Sequence, residues 1–258
     1  MRNVYHLDLN TEKIQGAKIV LLPGDPFRSQ TIAEMVARTY KTDCAKLAWK
    51  REFCTYLTGI KNQKILVTST GIGGPSTSIA IDELAQLGVT TFIRVGTTRA
   101  IQEYIDIGDV VITSGSVRLD GASTHYAPIE YPAVAHHEVL NALIVGAKNI
   151  NARYHVGVTA SSDTFYSGEE RQDSFNKYIL RKFQGSTAEW QKLHVLNYEM
   201  ESSTVLTLTA SMGLRGGCVT GVVNKQNMQD ISAESLKSGE ETVVNVATAA
   251  LDYVSTIG

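Results

Sequence analysis

Short, β-branched apolar runs recur along the chain, with helical spacing between them. Residues 17–22 (AKIVLL), 64–68 (KILVT), 91–95 (TFIRV), 109–113 (DVVIT), 156–160 (VGVTA) and 218–223 (CVTGVV) predict buried strands. Gly74-Pro75 opens a helix, because proline suits a first position whose N–H would be unpaired anyway. Ile79, Glu83, Leu84 and Leu87 follow at helical spacing, and Gly88 stops it. Further helices are predicted over 29–40, 137–149, 200–212 and 234–254. Strands alternating with helices predict an α/β fold, with a mixed, mostly parallel central sheet flanked by helices. No repeat, low-complexity tract or flexible linker interrupts the pattern, so a single domain over 1–258 is expected. Residues 163–193 are polar and less periodic, and predict an excursion over the sheet with a short helix inside it.

Composition narrows the partners. Apolar residues make up 43% of the 258, enough for a substantial core. Net charge is −2, from 24 basic and 26 acidic residues, with no block of one sign. A nucleic-acid-binding stripe is therefore not expected, and any anion site must be local, built from a few arginines and backbone N–H groups. Cys44, Cys54 and Cys218 form no CxxC pair, and their odd number argues against a disulfide framework. The segment MRNVYHLDLN has no apolar leader pattern, and no run approaches the roughly 18–20 apolar residues that span a bilayer. The expectation is a reduced, cytoplasmic protein without a membrane partner. There is no HExxH pattern; His125 has no metal-ligand partner at useful spacing, and His136-His137 reads as a helix start, so no divalent metal is expected.

Four segments could carry chemistry. In 23–28 (PGDPFR), Gly24 lets the backbone approach a ligand, Pro26 starts a helix whose free N–H groups favour an anion, and Arg28 lies one turn in. An ordinary turn with a solvated arginine is the alternative. In 70–76 (TGIGGPS), three glycines in four residues suit either a phosphate cradle or close backbone packing; no Gly-Lys-Ser/Thr follows, so it is not a P-loop. Arg94 lies inside a strand that otherwise reads as buried, and a lone buried guanidinium is costly. An anion at the carboxyl end of the strand would resolve this, as would a structural salt bridge. Glu199-Met200-Glu201 could clamp vicinal sugar hydroxyls, or simply be the acidic start of a helix.

Together these segments resemble the bacterial hexameric uridine phosphorylases of the nucleoside phosphorylase superfamily. The matching stretches are PGDP (23–26), REF (51–53), STGIGGPSTSIA (69–80), ELAQLG (83–88), SVRLDGAS (116–123), VGVTASSDTFY (156–166) and NYEMES (197–202). They cover nearly the whole chain. The resemblance implies reversible phosphorolysis, in which uridine and phosphate give uracil and ribose 1-phosphate. It implies that Gly24, Arg28, Arg94 and Thr97 hold phosphate, joined by Arg51 from a neighbouring subunit. Met200 and Glu201 would hold the ribose, with the neighbour's His6 on the 5′-hydroxyl. Thr98, Phe165 and Arg171 would belong to the base pocket. Glu52, Ile72 and Ser76 stand where the family can bind a monovalent cation such as K+ at a dimer interface. The resemblance further implies no cofactor, with phosphate as co-substrate, and a homodimer assembled as a trimer of dimers.

The base pocket departs from the family pattern. Arg99 replaces the glycine of a GTTGA run, and Glu169 replaces the glutamine of PGQER, whose amide bonds uracil. The arginine of VNRTQQE becomes Lys225 or Gln226, depending on alignment. A glutamine amide both donates and accepts, whereas an ionised carboxylate only accepts. Arg99 and Glu169 are expected to pair with one another across the pocket wall. Residues 220–224 (TGVVN) lack the aspartate by which purine-type members protonate their base, which favours a pyrimidine. The rival expectations are a relative with another base and a binding protein with a filled base pocket. A nucleosidase using water would not need Arg28, Arg51 and Arg94.

Overall fold

The computed structural model describes residues 2–226, Met228 and residues 230–257. At its centre, β1 (Ile19–Leu22) lies parallel between β4 (Gln63–Thr68) and β5 (Thr91–Ala100). Outward from β4 run β3 (Phe53–Ile60) and the edge strand β2 (Ala45–Lys50), both antiparallel to their neighbours. On its other side β5 pairs in parallel with β10 (Arg215–Lys225), and β10 pairs antiparallel with β6 (Val110–Leu119). β6 and β8 (Tyr154–Ser162) are parallel, as are β8 and β9 (Asn197–Glu199), while the two-residue strand β7 (Ala133–Val134) adds to β6. β9 then returns to β5 antiparallel, at Arg99↔Tyr198 and Ala100↔Asn197. Strands β5, β10, β6, β8 and β9 thus close a ring, and β1, β4, β3 and β2 extend from it as an open wing.

Alternation places side chains on two faces. Ile19 and Leu21 of β1 join one core, with Ile32 and Val36 of α1 (Pro26–Tyr40), Leu143 of α3 (His137–Asn149) and Val246 and Leu251 of α6 (Ala233–Val254). Val20 and Leu22 join the other, with Ile81 and Leu84 of α2 (Gly74–Gln86) and Val205 and Leu208 of α5 (Ser202–Ser211). Each such buried aliphatic side chain contributes about 1.5–3 kcal/mol.

The six predicted strands and five predicted helices form, with shifted ends. α1 starts three residues early, because Asp25 accepts from the Phe27 N–H at 2.9 Å and caps it. β5 runs on to Ala100, so 96–100 is strand rather than loop. Strands β2, β3, β7 and β9 lie outside the predicted runs, although β3 (FCTYLTGI) is an aromatic and β-branched run buried along its whole length. β2 (AKLAWK) is a half-exposed edge rich in lysine, and β9 has only three residues. The 163–193 excursion holds one short helix, α4 (Ser186–Lys192), whose first turn is tied back by the Glu170 carboxylate accepting from the Gly185 and Thr187 N–H groups.

Candidate active site

The carboxyl ends of β1, β5, β9 and β10 converge on a cavity of about 650 Å³. Strand ends leave unpaired backbone groups and loops at that edge of a sheet, which is why ligands settle there. The turn after β1 supplies Gly24 and Arg28, β5 supplies Arg94, Thr97, Thr98 and Arg99, and the 163–193 excursion supplies Phe165, Glu169 and Arg171. Met200 and Glu201 come from the β9–α5 turn. Eleven of the residues singled out in the sequence therefore share one cavity with Glu52 and Ile72, which lie at its rim.

At one end the two glycine turns are laced together. The Gly71 N–H donates to the Gly24 carbonyl at 3.0 Å, and a Cβ on Gly24 would stand 3.3 Å from the Gly71 oxygen. Gly71 and Gly73 have φ of +71° and +90°, which other residues rarely adopt. Gly73 in that conformation turns its N–H onto the Glu201 carboxylate at 2.6 Å.

Arg94 is 6% exposed. Its Nε donates to Glu199 at 2.7 Å and its Nη2 pairs with Glu201. Gly96 is needed for this, since a Cβ there would lie 2.7 Å from Nη2. The salt bridge and the ligand site anticipated for Arg94 coexist: Nη1 has no hydrogen-bond partner among the described residues. Burial pushes the Glu201 carboxyl up, although Arg94 pulls it down. Burial alone would lower the Arg94 pKa; Glu201 and Glu199 more than reverse this, so its charge is secure. Arg28 ion-pairs with Glu240 of α6, and its Nε lacks a partner among the described residues.

At the other end Arg99 and Glu169 meet, as expected. Arg99 Nη2 donates to the Glu169 carbonyl at 2.7 Å, its Nε lies 3.7 Å from the Glu169 carboxylate, and its guanidinium sits over the Tyr198 ring. Burial raises the Glu169 pKa to about 7, against the opposing pull of Arg99 and Arg171. Arg171 stacks over Phe165, 4.4 Å from its ring centre, and forks onto Asp173 at 3.0 and 2.6 Å. Thr98 is committed to the scaffold, donating to the Tyr198 carbonyl and accepting from Asn197, each at 2.6 Å.

Several residues lie elsewhere, among them Ser76 in the first turn of α2. His6 is held by Glu83 of α2, with Nδ1 at 2.6 Å, and Arg51 sits exposed in the β2–β3 turn. Neither lines this cavity. Lys225 is tied by Asp106 at 2.8 Å and the Glu103 carbonyl at 3.1 Å, and with Gln226 it lines a separate, smaller cavity. Neither therefore replaces the family's arginine at the base.

A family model described as the phosphorylase superfamily matches residues 18–256. The chain belongs to the phosphorylase superfamily. It is 51% identical to the uridine phosphorylase of Escherichia coli over 96% of both chains, and 49% identical to that of Haemophilus influenzae over 97% of this chain and 98% of the other. It is also 33% identical to the guanosine phosphorylase of Halorubrum lacusprofundi, over 80% and 77%. In this phosphorylase the sequence left unassigned one residue that holds a cavity arginine and two that line the cavity. Glu240, which reaches Arg28 across 212 positions, sits in a solvated-looking SGEE stretch. Tyr198 and Asn224 line the cavity, Tyr198 as part of the NYEMES match and Asn224 as the asparagine of the VNRTQQE pattern.

Proposed function

We propose that the chain catalyses phosphorolysis of uridine to uracil and ribose 1-phosphate. The observation that carries this reading is the arrangement of one cavity. An arginine cluster (Arg28, Arg94) stands beside a buried carboxylate (Glu201), with an aromatic and charged wall (Phe165, Arg99, Glu169, Arg171) beyond. Gly24, Arg28, Arg94 and Thr97 hold phosphate through charge-assisted bonds. Glu201, with Met200, accepts from the vicinal ribose hydroxyls. Phe165 packs on the base and Arg171 bonds it. The C1′–N1 bond breaks first, its electron pair passing to the uracil ring; an oxygen of the hydrogenphosphate dianion then bonds to C1′, and the phosphate proton passes to the uracil nitrogen, giving neutral uracil and ribose 1-phosphate. The phosphate dianion stabilises the cationic sugar, so positioning and preorganised charge carry the rate without a covalent nucleophile.

In this reading a second copy completes the site. Arg51 reaches the neighbour's phosphate and His6 its 5′-hydroxyl, in a homodimer built into a trimer of dimers. Exposed Tyr5, Phe27, Trp49 and Ile72 support this, because apolar groups of that size favour cover. A K+ ion at that interface would take oxygens of Glu52, Ile72 and Ser76. Those residues fit: a Cβ on Gly71 would meet Glu52 Cγ at 2.9 Å and Ser76 Oγ at 3.3 Å, so the two side chains converge beside exposed Ile72. The protein works as one domain over 1–258, in the cytoplasm, where its three free cysteines stay reduced.

The deciding experiment incubates purified protein with uridine, with and without phosphate, and separates the products. Uracil released only with phosphate is the expected result. Release without phosphate, or none at all, would overturn the reading. A second measurement addresses Arg28. Phosphate must draw this guanidinium from Glu240, a partly buried partner. Glu240→Gln is expected to lower the KM for phosphate about two- to fivefold with little change in kcat. A raised KM would instead show that Glu240 positions Arg28 for its ligand.

A further inference from the structure

Strands β10 and β5 run in parallel register as far as Val222↔Thr98 and then slip by one residue, so that Asn224, not Val223, stands beside Arg99. A bulge of this kind breaks the alternation of faces and re-aims a side chain. Val223 and Asn224 accordingly both line the cavity. Asn224 is 1% exposed, and neither its carbonyl oxygen nor its amide nitrogen has a hydrogen-bond partner among the described residues. A buried primary amide with both valences open is costly unless a ligand satisfies it.

Its neighbours are partly committed to each other, although Arg99 Nε and one Glu169 carboxylate oxygen make no hydrogen bond among the described residues. Arg99 and Glu169 hold each other through the 2.7 Å bond and the 3.7 Å ion pair. The wall consists of Glu169, Arg99 and Asn224, and Asn224 both donates and accepts at any pH, whereas the Glu169 carboxyl, pushed up to about 7, does so only when protonated. In the family this chain resembles, the amide that reads the base stands at the position of Glu169. Here an acid occupies that position, while Asn224, which matches the asparagine of the VNRTQQE pattern, keeps an unpartnered amide on the strand beside it.

We propose that Asn224 is a base-reading residue, whose amide takes the ring edge of a pyrimidine where an N–H stands next to a carbonyl. With an acid at position 169, the amide left to read that edge is the one on β10. Accepting from the ring N–H and donating to the carbonyl oxygen uses both open valences at once. Arg99 alongside can only donate, and so selects a ring carbonyl over an amino group. This rests on the uridine reading above.

The test compares the whole protein with Asn224→Val on uridine and on 3-methyluridine, in which the ring N–H is blocked, together with melting in the absence of nucleoside. The wild type is expected to prefer uridine. In the variant the uridine KM rises at least about tenfold, the preference over 3-methyluridine collapses, and the KM for phosphate stays put. Melting is unchanged or raised, since a valine leaves no amide unpaired. An unchanged preference, or a lowered melting point with uridine and phosphate affected alike, would overturn the proposal. Wild-type protein that fails to release uracil in the same assay would instead overturn the uridine reading itself.

Discussion

Arg94→Met is expected to lower phosphorolysis by about a thousandfold and to destabilise the protein by about 3–5 kcal/mol. Both effects follow from one geometry. Arg94 lies between two buried carboxylates, with Nε on Glu199 and Nη2 on Glu201, and turns Nη1 free of protein partners among the described residues. Methionine fills the volume but leaves two acids facing each other in a dry interior. They relieve the repulsion by taking up a proton. Burial already raises the Glu201 carboxyl, and loss of the cation raises it further. A carboxyl whose folded pKa lies above its unfolded value costs stability as pH rises through that interval. The variant should therefore melt much lower than wild type at pH 8 and approach it at pH 5. Activity falls because phosphate loses a charged donor and Glu201 loses its anchor. A loss of about a thousandfold in kcat/KM for phosphate is the scale of one preorganised donor. Arg94→Lys should recover part of the stability but little of the activity, because a point charge cannot serve two carboxylates and an anion at once. Thermal melting across pH and phosphate saturation check these expectations. A methionine variant with wild-type melting would mean that the Glu199–Arg94–Glu201 cluster is not a cohesive unit.

The same cluster shows what a sequence can disclose about such a site. An arginine inside an apolar strand run, glycine turns after two strands and an acidic pair before a helix are local signals. Each marks a place where the chain departs from what packing alone requires, and all of them meet in one cavity. Arg99 and Glu169 are legible because their types contradict a known pattern, and the expected pairing is there at 3.7 Å. Other features depend on the fold and leave no local trace. Glu240 meets Arg28 because α6 crosses over α1, and nothing in SGEE announces it. Asn224 faces the cavity because a bulge changes the parity of β10, and parity cannot be counted through an unseen slip. The wing strands escape a reading of alternation for opposite reasons: β2 is a half-exposed edge, while β3 is buried on both faces, with Cys54, Tyr56 and Ile60 in one core and Phe53 and Leu57 in the other. Thr97 and Thr98 read as loop because the apolar run of β5 stops at Val95. The longer strand explains why Thr98 serves the scaffold through Tyr198 and Asn197 while still lining the cavity.

Gly221→Ala should be the most damaging single methyl group in the molecule, lowering stability by more than about 3 kcal/mol, or about 10 °C in melting temperature. Gly221 sits on β10 directly beneath Gly239 of α6. A Cβ there would stand 2.6 Å from the Gly239 carbonyl carbon and closer still to its oxygen. In the other direction, a Cβ on Gly239 would meet the Val222 carbonyl oxygen at 2.8 Å. The obstruction on both sides is backbone, so no rotamer change relieves it; the helix must lift from the sheet. Lifting α6 opens the core that Val243, Val246, Ala247 and Leu251 form against the strands. It also carries Glu240, the next residue along the helix, away from Arg28. Any enzyme that still folds should then show an altered phosphate KM, although position 221 itself touches no substrate. Gly213→Ala separates this clash from ordinary glycine strain. Gly213 has φ of +68°, and a methyl group there would find nothing within 4 Å, so that variant suffers only the left-handed conformation, about 1 kcal/mol. Equal losses at the two positions would mean that α6 rides on β10 with slack, and the tight glycine contact would then not be what sets the place of Glu240 against Arg28.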